Sequence, residues 1–182
     1  MRVIVLNEAG YDEALLGISL SFNQPPENMP YVATKLAPFE RGHSKFLESI
    51  VVWLSIDAPR YWWMEFDTYR VGITKQSEST IHSILKGYLS QDDFEDEIYS
   101  CTLEALNADI ESKAFQEVKN NLPESFLQRR IVCTNYKTLR NIFVQRANHK
   151  LELWRIFIRE VRNQINHPEL LPSLEELKKG GN

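Results

Sequence analysis

The segment IVVWLSID, residues 50–57, constrains the fold of this chain most, because its side chains fall into two alternating sets with a period of two. Alternate side chains of an extended strand point to opposite faces of a sheet. One face of the predicted strand therefore lies in a core, and the side chains expected there are Ile50, Val52, Leu54 and Ile56. The rest of the chain must supply the sheet and the layer that cover them.

An aromatic helix is predicted directly after this strand, over residues 59–70, with Gly72 closing it. Pro59 suits the first turn of a helix, where its missing N–H group costs nothing. Two roles are open for its rings, packing in a core or stacking on a base or a flavin. The rings are those of Trp62, Trp63 and Phe66.

The remaining elements are predicted from local patterns. Two further strands are expected, at residues 1–6 and at residues 126–133. The first ends where residues 7–11 bring in Asn and Gly. Helices are expected at residues 12–20, 44–49 with Ser44 as the cap, 91–119, 135–166 as one helix or two in tandem, and in the tail at 168–182. Residues 23–30 carry three prolines and are predicted as a loop. The mixture predicts the α+β class, a mixed α/β domain with a central sheet flanked by helices, formed by residues 1–182 as a single domain.

The two longest predicted helices each carry apolar side chains on one side. In residues 91–119 the apolar stripe is irregular, and the acidic residues are predicted to face solvent. In residues 135–166 the apolar side chains fall at steps of three and four, which is typical of a face that packs on a core. These side chains are Leu151, Trp154, Ile158, Val161 and Ile165.

Composition argues against several classes of protein. The formal net charge is −4, without the basic excess typical of nucleic-acid binding, so no nucleic-acid partner is expected. No apolar run approaches the roughly 20 residues that span a bilayer, and no signal peptide is recognised, so we expect a cytoplasmic protein without a membrane partner. The four histidines are scattered and Cys101 and Cys133 lie far apart, so no metal site is expected.

A set of polar side chains embedded among apolar ones is the candidate for ligand binding. Arginine and lysine beside amides and hydroxyls suit a phosphate group together with the edge of a nucleobase. The set comprises Arg70, Gln76, Ser77, Ser79, Lys119, Asn135, Asn141 and Arg146. Spacing alone does not place Asn135, Asn141 and Arg146 on one helix face, and Asn135 also suits a helix cap. The residues predict a nucleotide ligand and leave the individual roles open.

Two blocks of this sequence resemble the flavin-dependent thymidylate synthase family, enzymes that methylate dUMP with FAD, NADPH and methylenetetrahydrofolate. GHSKFLESIVVWLSIDAP, residues 42–59, resembles the family's Gly-His, short helix with a glutamate, strand and Ala-Pro. LPESFLQRRIVCTNYKTLRNIFVQR, residues 122–146, resembles its Leu-Pro, strand, helix-starting Asn, second Asn six residues on and Arg five beyond. Trp154 resembles a tryptophan of the same region, and the blocks together order most of residues 30–160.

The resemblance implies roles for the second block. It implies that Asn135 and Asn141 contact FAD, and that Arg146 holds the uracil of dUMP and helps to ionise it. Lys119 stands three residues before Leu-Pro, where the family has an arginine for the nucleotide. The family's sites lie between the subunits of a tetramer, so the resemblance also implies a homo-oligomer, and the small size would suit a phage-encoded copy in a host cytoplasm.

The family signature is Arg-His-Arg, four residues, then Asn-Glu-x-Ser-x-Arg-Tyr, and TYRVGITKQSESTIH, residues 68–82, keeps little of it. Only the second arginine remains, as Arg70, while the other positions are taken by Thr68, Tyr69, Gln76, Glu78 and Thr80. Each lost charge-assisted hydrogen bond is worth roughly 1.5–3 kcal/mol, so ordinary substrates are expected to bind far more weakly. The remaining assignments are Arg70 and Gln76 for the flavin, Ser77 or Ser79 with Arg146 for catalysis, and Glu65 with Lys119 for the substrate.

Three functions stay open on this basis. The first is a protein that binds a dUMP-like pyrimidine nucleotide with FAD and transfers one carbon to C5 of the pyrimidine ring. The second is a non-catalytic protein that binds or sequesters a nucleotide. The third is an oligomeric scaffold that has lost the site.

Overall fold

The computed structural model describes residues 1–39 and 41–179 of the chain. Its strands form one sheet in the order β1-β2-β4-β3, with β1 at Arg2–Ala9, β2 at Val51–Pro59, β3 at Thr74–Ser77 and β4 at Leu127–Asn135. The two central strands are antiparallel. The N–H of Arg60 donates to the carbonyl of Phe126 (3.1 Å), and the N–H of Tyr136 donates to the carbonyl of Ile50 (3.0 Å).

Helices make up most of the remaining regular structure, which confirms the predicted α+β class. They are α1 Tyr11–Phe22, α2 Met29–Leu36, α3 Arg60–Phe66, α4 Thr80–Ser83, α5 Ser100–Glu111, α6 Phe115–Asn121, α7 Tyr136–Arg146, α8 Leu153–Gln164 and α9 Leu174–Lys179. Short 3₁₀-helices are Pro26–Asn28, Arg41–Glu48, Gln91–Asp93 and Pro168–Leu170. Packing divides the chain into two units: unit 1 (residues 1–2, 56–68 and 76–130) and unit 2 (residues 3–55, 69–75 and 131–182).

The alternating strand packs as predicted, and the rings of the aromatic helix take the first of the two roles left open for them. One face of β2 is buried, through Val52, Leu54 and Ile56, with Ile50 just before the strand. Within unit 1, the rings of α3 lie in the core, and those of Trp62 and Phe66 stack with centroids 5.0 Å apart. The indole N–H of Trp63 donates to the carbonyl of Gln128 at 2.8 Å. The rings of α3 are therefore core residues.

Unit 1 also contains a second apolar cluster, to which the acidic segment contributes four of six buried side chains. Its buried side chains are Ile84, Phe94, Leu106, Ile110, Val118 and Leu122. The predicted continuous helix over residues 91–119 is wrong, because residues 94–99 are not helical and separate the short 3₁₀-helix from α5. Lys113 adopts a positive φ of 58° at the next break, between α5 and α6. The apolar side chains of this segment do pack together, but they come from short helices and from the non-helical residues between them.

In unit 2, residues 135–166 form two helices in tandem, α7 and α8, one of the two forms predicted. Four members of the predicted stripe are buried, namely Trp154, Ile158, Val161 and Ile165, and Leu151 is half-buried. The rings of Phe143 and Phe157 meet edge to face, 6.2 Å apart, where the two helices pack.

Three predictions at the N-terminal end of the chain are wrong in detail. Strand β1 continues through Ala9, because an edge strand tolerates polar residues on its outer side. Residues 23–30 are not all loop, since Pro30 occupies the first turn of α2. Ser44 is not a helix cap. It is a buried residue at a kink inside the 3₁₀-helix, and its hydroxyl accepts a hydrogen bond from Lys137 Nζ at 2.5 Å.

The segment after α3 also differs from its prediction. The helix ends at Phe66 rather than residue 70, and Gly72 lies in the following turn with φ of 70°. The strand β3 was not predicted, because TKQS carries no apolar alternation. The tail helix is present as α9, and residues 180–182 lie outside the described residues. None of the helices within residues 1–39 and 41–179 combines the length and hydropathy that a bilayer crossing requires.

Candidate functional site

Arg146, the last residue of α7, lies in an aromatic corner of unit 2. Its Nε donates a hydrogen bond to the hydroxyl of Tyr69 at 2.8 Å. The centre of its guanidinium lies 4.7 Å from the ring centroid of Trp154 and 5.4 Å from that of Tyr69. Stacking on an indole orients a guanidinium and strengthens its hold in the structure. We call Arg146, Tyr69, Trp154 and Gln145 the Arg146 cluster.

Asn135 caps the N-terminus of α7. Its side-chain oxygen accepts a hydrogen bond from the backbone N–H of Thr138 at 2.9 Å, as expected for an N-cap residue. A Cβ atom on Gly72 would lie 3.0 Å from the amide nitrogen of Asn135 and 2.5 Å from the Thr138 hydroxyl. The backbone of this turn therefore lies against the cap. The oxygen of Asn135 is used by the helix, and its NH₂ group is the part that suits a ligand.

Asn141 lies in the middle of α7 and is exposed. The helix has 11 residues, so the cap at Asn135 and the arginine at its end are separated by about 16 Å along the axis. One small group therefore does not reach both ends of α7 within the same unit. Asn135, Asn141 and Arg146 therefore suit an extended ligand, two different ligands, or two separate copies of a binding site.

The other candidates are exposed residues, one in unit 2 and three in unit 1. In unit 2, the side chain of Arg70 is exposed. In unit 1, three are exposed, namely Gln76, Ser77 and Ser79. Ser77 ends β3, and Ser79 precedes α4, where its carbonyl accepts a hydrogen bond from the Ser83 hydroxyl at 2.9 Å. These residues are open to solvent.

Lys119 and Thr80 meet in unit 1. The ammonium group of Lys119 donates to the hydroxyl of Thr80 at 2.8 Å, and both side chains are half-buried. The resemblance described above puts these two residues at two arginine positions of the family pattern, and the structure brings them together. Glu65, also half-buried, lies on α3 in the same unit. A cation beside a hydroxyl is a suitable pair for an anionic oxygen.

A second arginine cluster, in unit 1, was not anticipated. The guanidinium of Arg130 lies 4.4 Å from the ring centroid of Trp63. Its Nη1 donates to both carboxylate oxygens of Asp67 at 3.0 Å, and its Nε and Nη2 donate to the Gln128 side-chain oxygen at 3.1 and 2.9 Å. We call these four residues the Arg130 cluster. No local pattern connects Asp67 with a strand 63 residues further on.

The pKa values of Tyr136 and Tyr61 are raised above the ordinary value. Burial raises the pKa of Tyr136, the first residue of α7, and the hydrogen bond that its hydroxyl donates to Glu8 adds to the effect. In unit 1, burial raises the pKa of Tyr61 to about 12, with smaller contributions from Asp96 and Glu95. Both groups are neutral at physiological pH. Within the described part of the chain, His, Cys, Asp and Glu side chains form no group of three or more able to hold a metal ion.

Sequence reasoning missed the contact between Tyr69 and Arg146. It noted Tyr69 only as a replacement in the signature and assigned it no role. The two residues are 77 positions apart, so no helical or strand period connects them. The available signal was chemical: an aromatic hydroxyl directly before the one arginine that the signature retains.

Comparison with known proteins bears on the fold. The sequence matches no protein-family model and no curated protein. Solved structures do match, and two of them are of flavin-dependent thymidylate synthase ThyX from Helicobacter pylori with FAD and dUMP. The first has a TM-score of 0.79 at 17% identity and covers 94% of this chain and 98% of its own. The second has a TM-score of 0.78 at 16% identity and covers 99% of each chain. At this low identity the chain has the fold of flavin-dependent thymidylate synthase ThyX in a divergent form.

Proposed function

We propose that this chain binds a dUMP-like pyrimidine nucleotide together with FAD. The observation that carries the proposal is the fold, which matches ThyX structures containing FAD and dUMP over nearly the whole chain. The spacing of Asn135, Asn141 and Arg146 supports it. These residues occupy the cap, the middle and the end of one helix, α7.

The pyrimidine end of the site is assigned to Arg146. A guanidinium offers planar N–H donors that suit the carbonyl oxygens of a uracil ring. The neighbouring Trp154 is fully buried and fixes one side of the guanidinium. In a reaction at C5 of the pyrimidine, a cation in this position stabilises negative charge on the ring.

The residues present suit a flavin ring better than its phosphates. Asn141 and Arg70 are exposed donors, and Asn135 contributes its NH₂ group, which together suit the carbonyl oxygens of a flavin. The uncharged Gln76 is assigned to the same cofactor. When bound, a flavin supplies the hydride that reductive one-carbon transfer requires.

The phosphate end of the nucleotide is assigned to Lys119 and its hydroxyl partner Thr80. Glu65 is assigned to the substrate, and Ser77 or Ser79 to the catalytic set; both serines are exposed. The assembly proposed is a homotetramer with sites between subunits. In that arrangement the two ends of α7 can contact different parts of the ligands, which is consistent with their being too far apart to bind one small group.

A second function is favoured by the signature positions that lack charge. Thr68, Gln76 and Thr80 stand where the family pattern has charged residues. Thr68 and Thr80 replace arginines, and loss of these cations weakens phosphate binding more than binding of the ring, while Gln76 replaces a glutamate. A nucleotide-binding protein without catalysis is therefore the alternative.

An absorbance spectrum of the protein purified without added cofactor tests the proposal first. We expect flavin absorbance, release of FAD on heating, and a rise in the melting temperature on addition of dUMP. An assay with dUMP, methylenetetrahydrofolate and NADPH then separates the alternatives, because binding without thymidylate formation indicates the non-catalytic protein. A colourless protein whose melting temperature is unchanged by FAD, FMN and dUMP would contradict the proposal.

A further inference from the structure

The Tyr69 hydroxyl stands between two side chains of α7. It accepts the hydrogen bond from Arg146 Nε at 2.8 Å and donates its proton to the Gln145 side-chain oxygen at 3.1 Å. A hydroxyl has one proton and two acceptor lone pairs, so the bond to Gln145 turns a lone pair toward Arg146. The hydrogen bond to Gln145 therefore orients the Tyr69 hydroxyl so that it can accept the hydrogen bond from Arg146.

The rings around Arg146 restrict its remaining freedom. Trp154 is fully buried, and its ring contacts Phe157 and His149 edge to face, with centroids 6.0 and 6.3 Å away. The Tyr69 ring meets Trp154 at 73°, with centroids 6.1 Å apart. The indole fixes the face of the guanidinium, and the phenol oxygen fixes its Nε edge. A long side chain held in this way loses less conformational entropy when it binds a ligand.

We infer that Tyr69 is a positioning residue that orients Arg146 toward the pyrimidine ring; this rests on the proposed function. Tyr69 stands at a signature position where the family pattern has histidine, so the contact belongs to this chain. Removing the hydroxyl while keeping the ring leaves the stacking in place and releases the Nε edge. Tyr69→Phe is therefore expected to raise the dissociation constant for dUMP roughly three- to tenfold.

A double-mutant cycle measured by isothermal titration with dUMP tests the inference. Arg146→Lys keeps the charge and removes the Nε donor. If Tyr69 acts through Arg146, Tyr69→Phe weakens binding in the wild-type background and changes it less than about twofold in the Arg146→Lys background. Equal effects in both backgrounds would overturn the inference, because a structural tyrosine acts independently of residue 146.

A matched control is available in the same unit. Tyr31 is exposed, and Lys35 Nζ lies 5.2 Å from its ring centroid, so Tyr31→Phe also removes the hydroxyl of a ring that lies beside a cation. Its dUMP affinity should equal that of the wild type. If Tyr69→Phe does not fold, Gln145→Ala replaces it, since Gln145 is exposed. In the same cycle Gln145→Ala should also raise the dissociation constant for dUMP, by a smaller factor than Tyr69→Phe.

The outcomes separate this inference from the proposed function. A wild-type protein that binds neither dUMP nor FAD overturns both. A wild-type protein that binds dUMP, with Tyr69→Phe and Gln145→Ala binding it equally well, overturns the inference alone. If Tyr69→Phe weakens dUMP binding in the wild-type background and has no such effect in the Arg146→Lys background, both are supported.

Discussion

Each unit contains an arginine beside a tryptophan ring, and the two clusters differ in their hydrogen-bond partners. In the Arg130 cluster a carboxylate and an amide of the chain accept from Nη1, Nε and Nη2. In the Arg146 cluster the Nε group donates to a neutral phenol. A carboxylate offsets the charge of the group that it binds, and a phenol orients it. We therefore interpret Arg130 as a structural residue, whereas the proposed function assigns Arg146 to the ligand.

The largest expected effect comes from Arg146→Ala. It should weaken dUMP binding by about 1.5–3 kcal/mol, because a charge-assisted hydrogen bond to the ring is lost. The free energy of unfolding should fall by only about 1 kcal/mol, the value of one stacked cation. Calorimetric titration and urea unfolding measure the two quantities. Arg159→Ala, an exposed arginine of α8, is the control and should change neither. Unchanged dUMP affinity in Arg146→Ala would remove the basis of the comparison.

Asp67→Asn should produce the opposite pattern. It removes the charge that pairs with Arg130, whose side chain is only 14% exposed, while Asp67 itself is 43% exposed. The expected loss of unfolding free energy is about 1.5–2 kcal/mol, with dUMP affinity unchanged. Asp57→Asn is the matched control, because its partner Arg129 is 59% exposed, and it should cost less than about 0.5 kcal/mol. A loss of dUMP affinity in Asp67→Asn would show that the Arg130 cluster is not purely structural.

Gly72→Ala tests the turn that lies against the Asn135 cap of α7. Gly72 has φ of 70°, and an added Cβ would lie 2.5 Å from the Thr138 hydroxyl. A left-handed conformation costs a non-glycine residue about 1–2 kcal/mol, which should appear in urea unfolding. Gly87→Ala meets no atom within 4 Å and serves as the control. Equal stability of the two variants would show that this turn is not constrained.

The smallest effect is expected at alkaline pH. The folded state holds the Tyr61 proton up to a pKa of about 12, whereas an unfolded tyrosine loses it near 10. The contribution of Tyr61 is fully present below pH 10 and is lost as the pH rises toward 12. Tyr61→Phe should therefore reduce the decline of unfolding free energy between pH 9 and about 11. Tyr99→Phe, an exposed control, should decline as the wild type does. An unchanged decline in Tyr61→Phe would contradict the assigned proton affinity.

The fold could be predicted where local patterns carry it. The alternation of residues 50–57 identified β2, and the three- and four-residue steps after residue 151 identified α8. Strand β3 could not be predicted, because it is short, polar and mostly exposed, and pairing with β4 determines it. Ser44 has a side chain that suits a helix cap, but it is buried and its hydroxyl accepts a hydrogen bond from Lys137 instead.

The site was predicted less completely for a similar reason. Asn135 was expected to suit a helix cap, and it caps α7, but no pattern indicated that this helix ends at Arg146. The cap is a local hydrogen bond, whereas the contact between Arg146 and Tyr69 joins distant segments. Tyr69 and Trp154 reach Arg146 from segments 77 residues before and eight residues after it. Only the tertiary structure shows that Arg146 bonds to the Tyr69 phenol and that Arg130 is paired with the Asp67 carboxylate.

A crystal structure of the protein with dUMP tests the central claim most directly. We predict that a pyrimidine oxygen lies within hydrogen-bond distance of the Arg146 guanidinium, with Nε still bonded to Tyr69. The Arg130 cluster should keep its contacts with Asp67 and Gln128. A nucleotide bound away from Arg146, or one that displaces Asp67 from Arg130, would contradict the account.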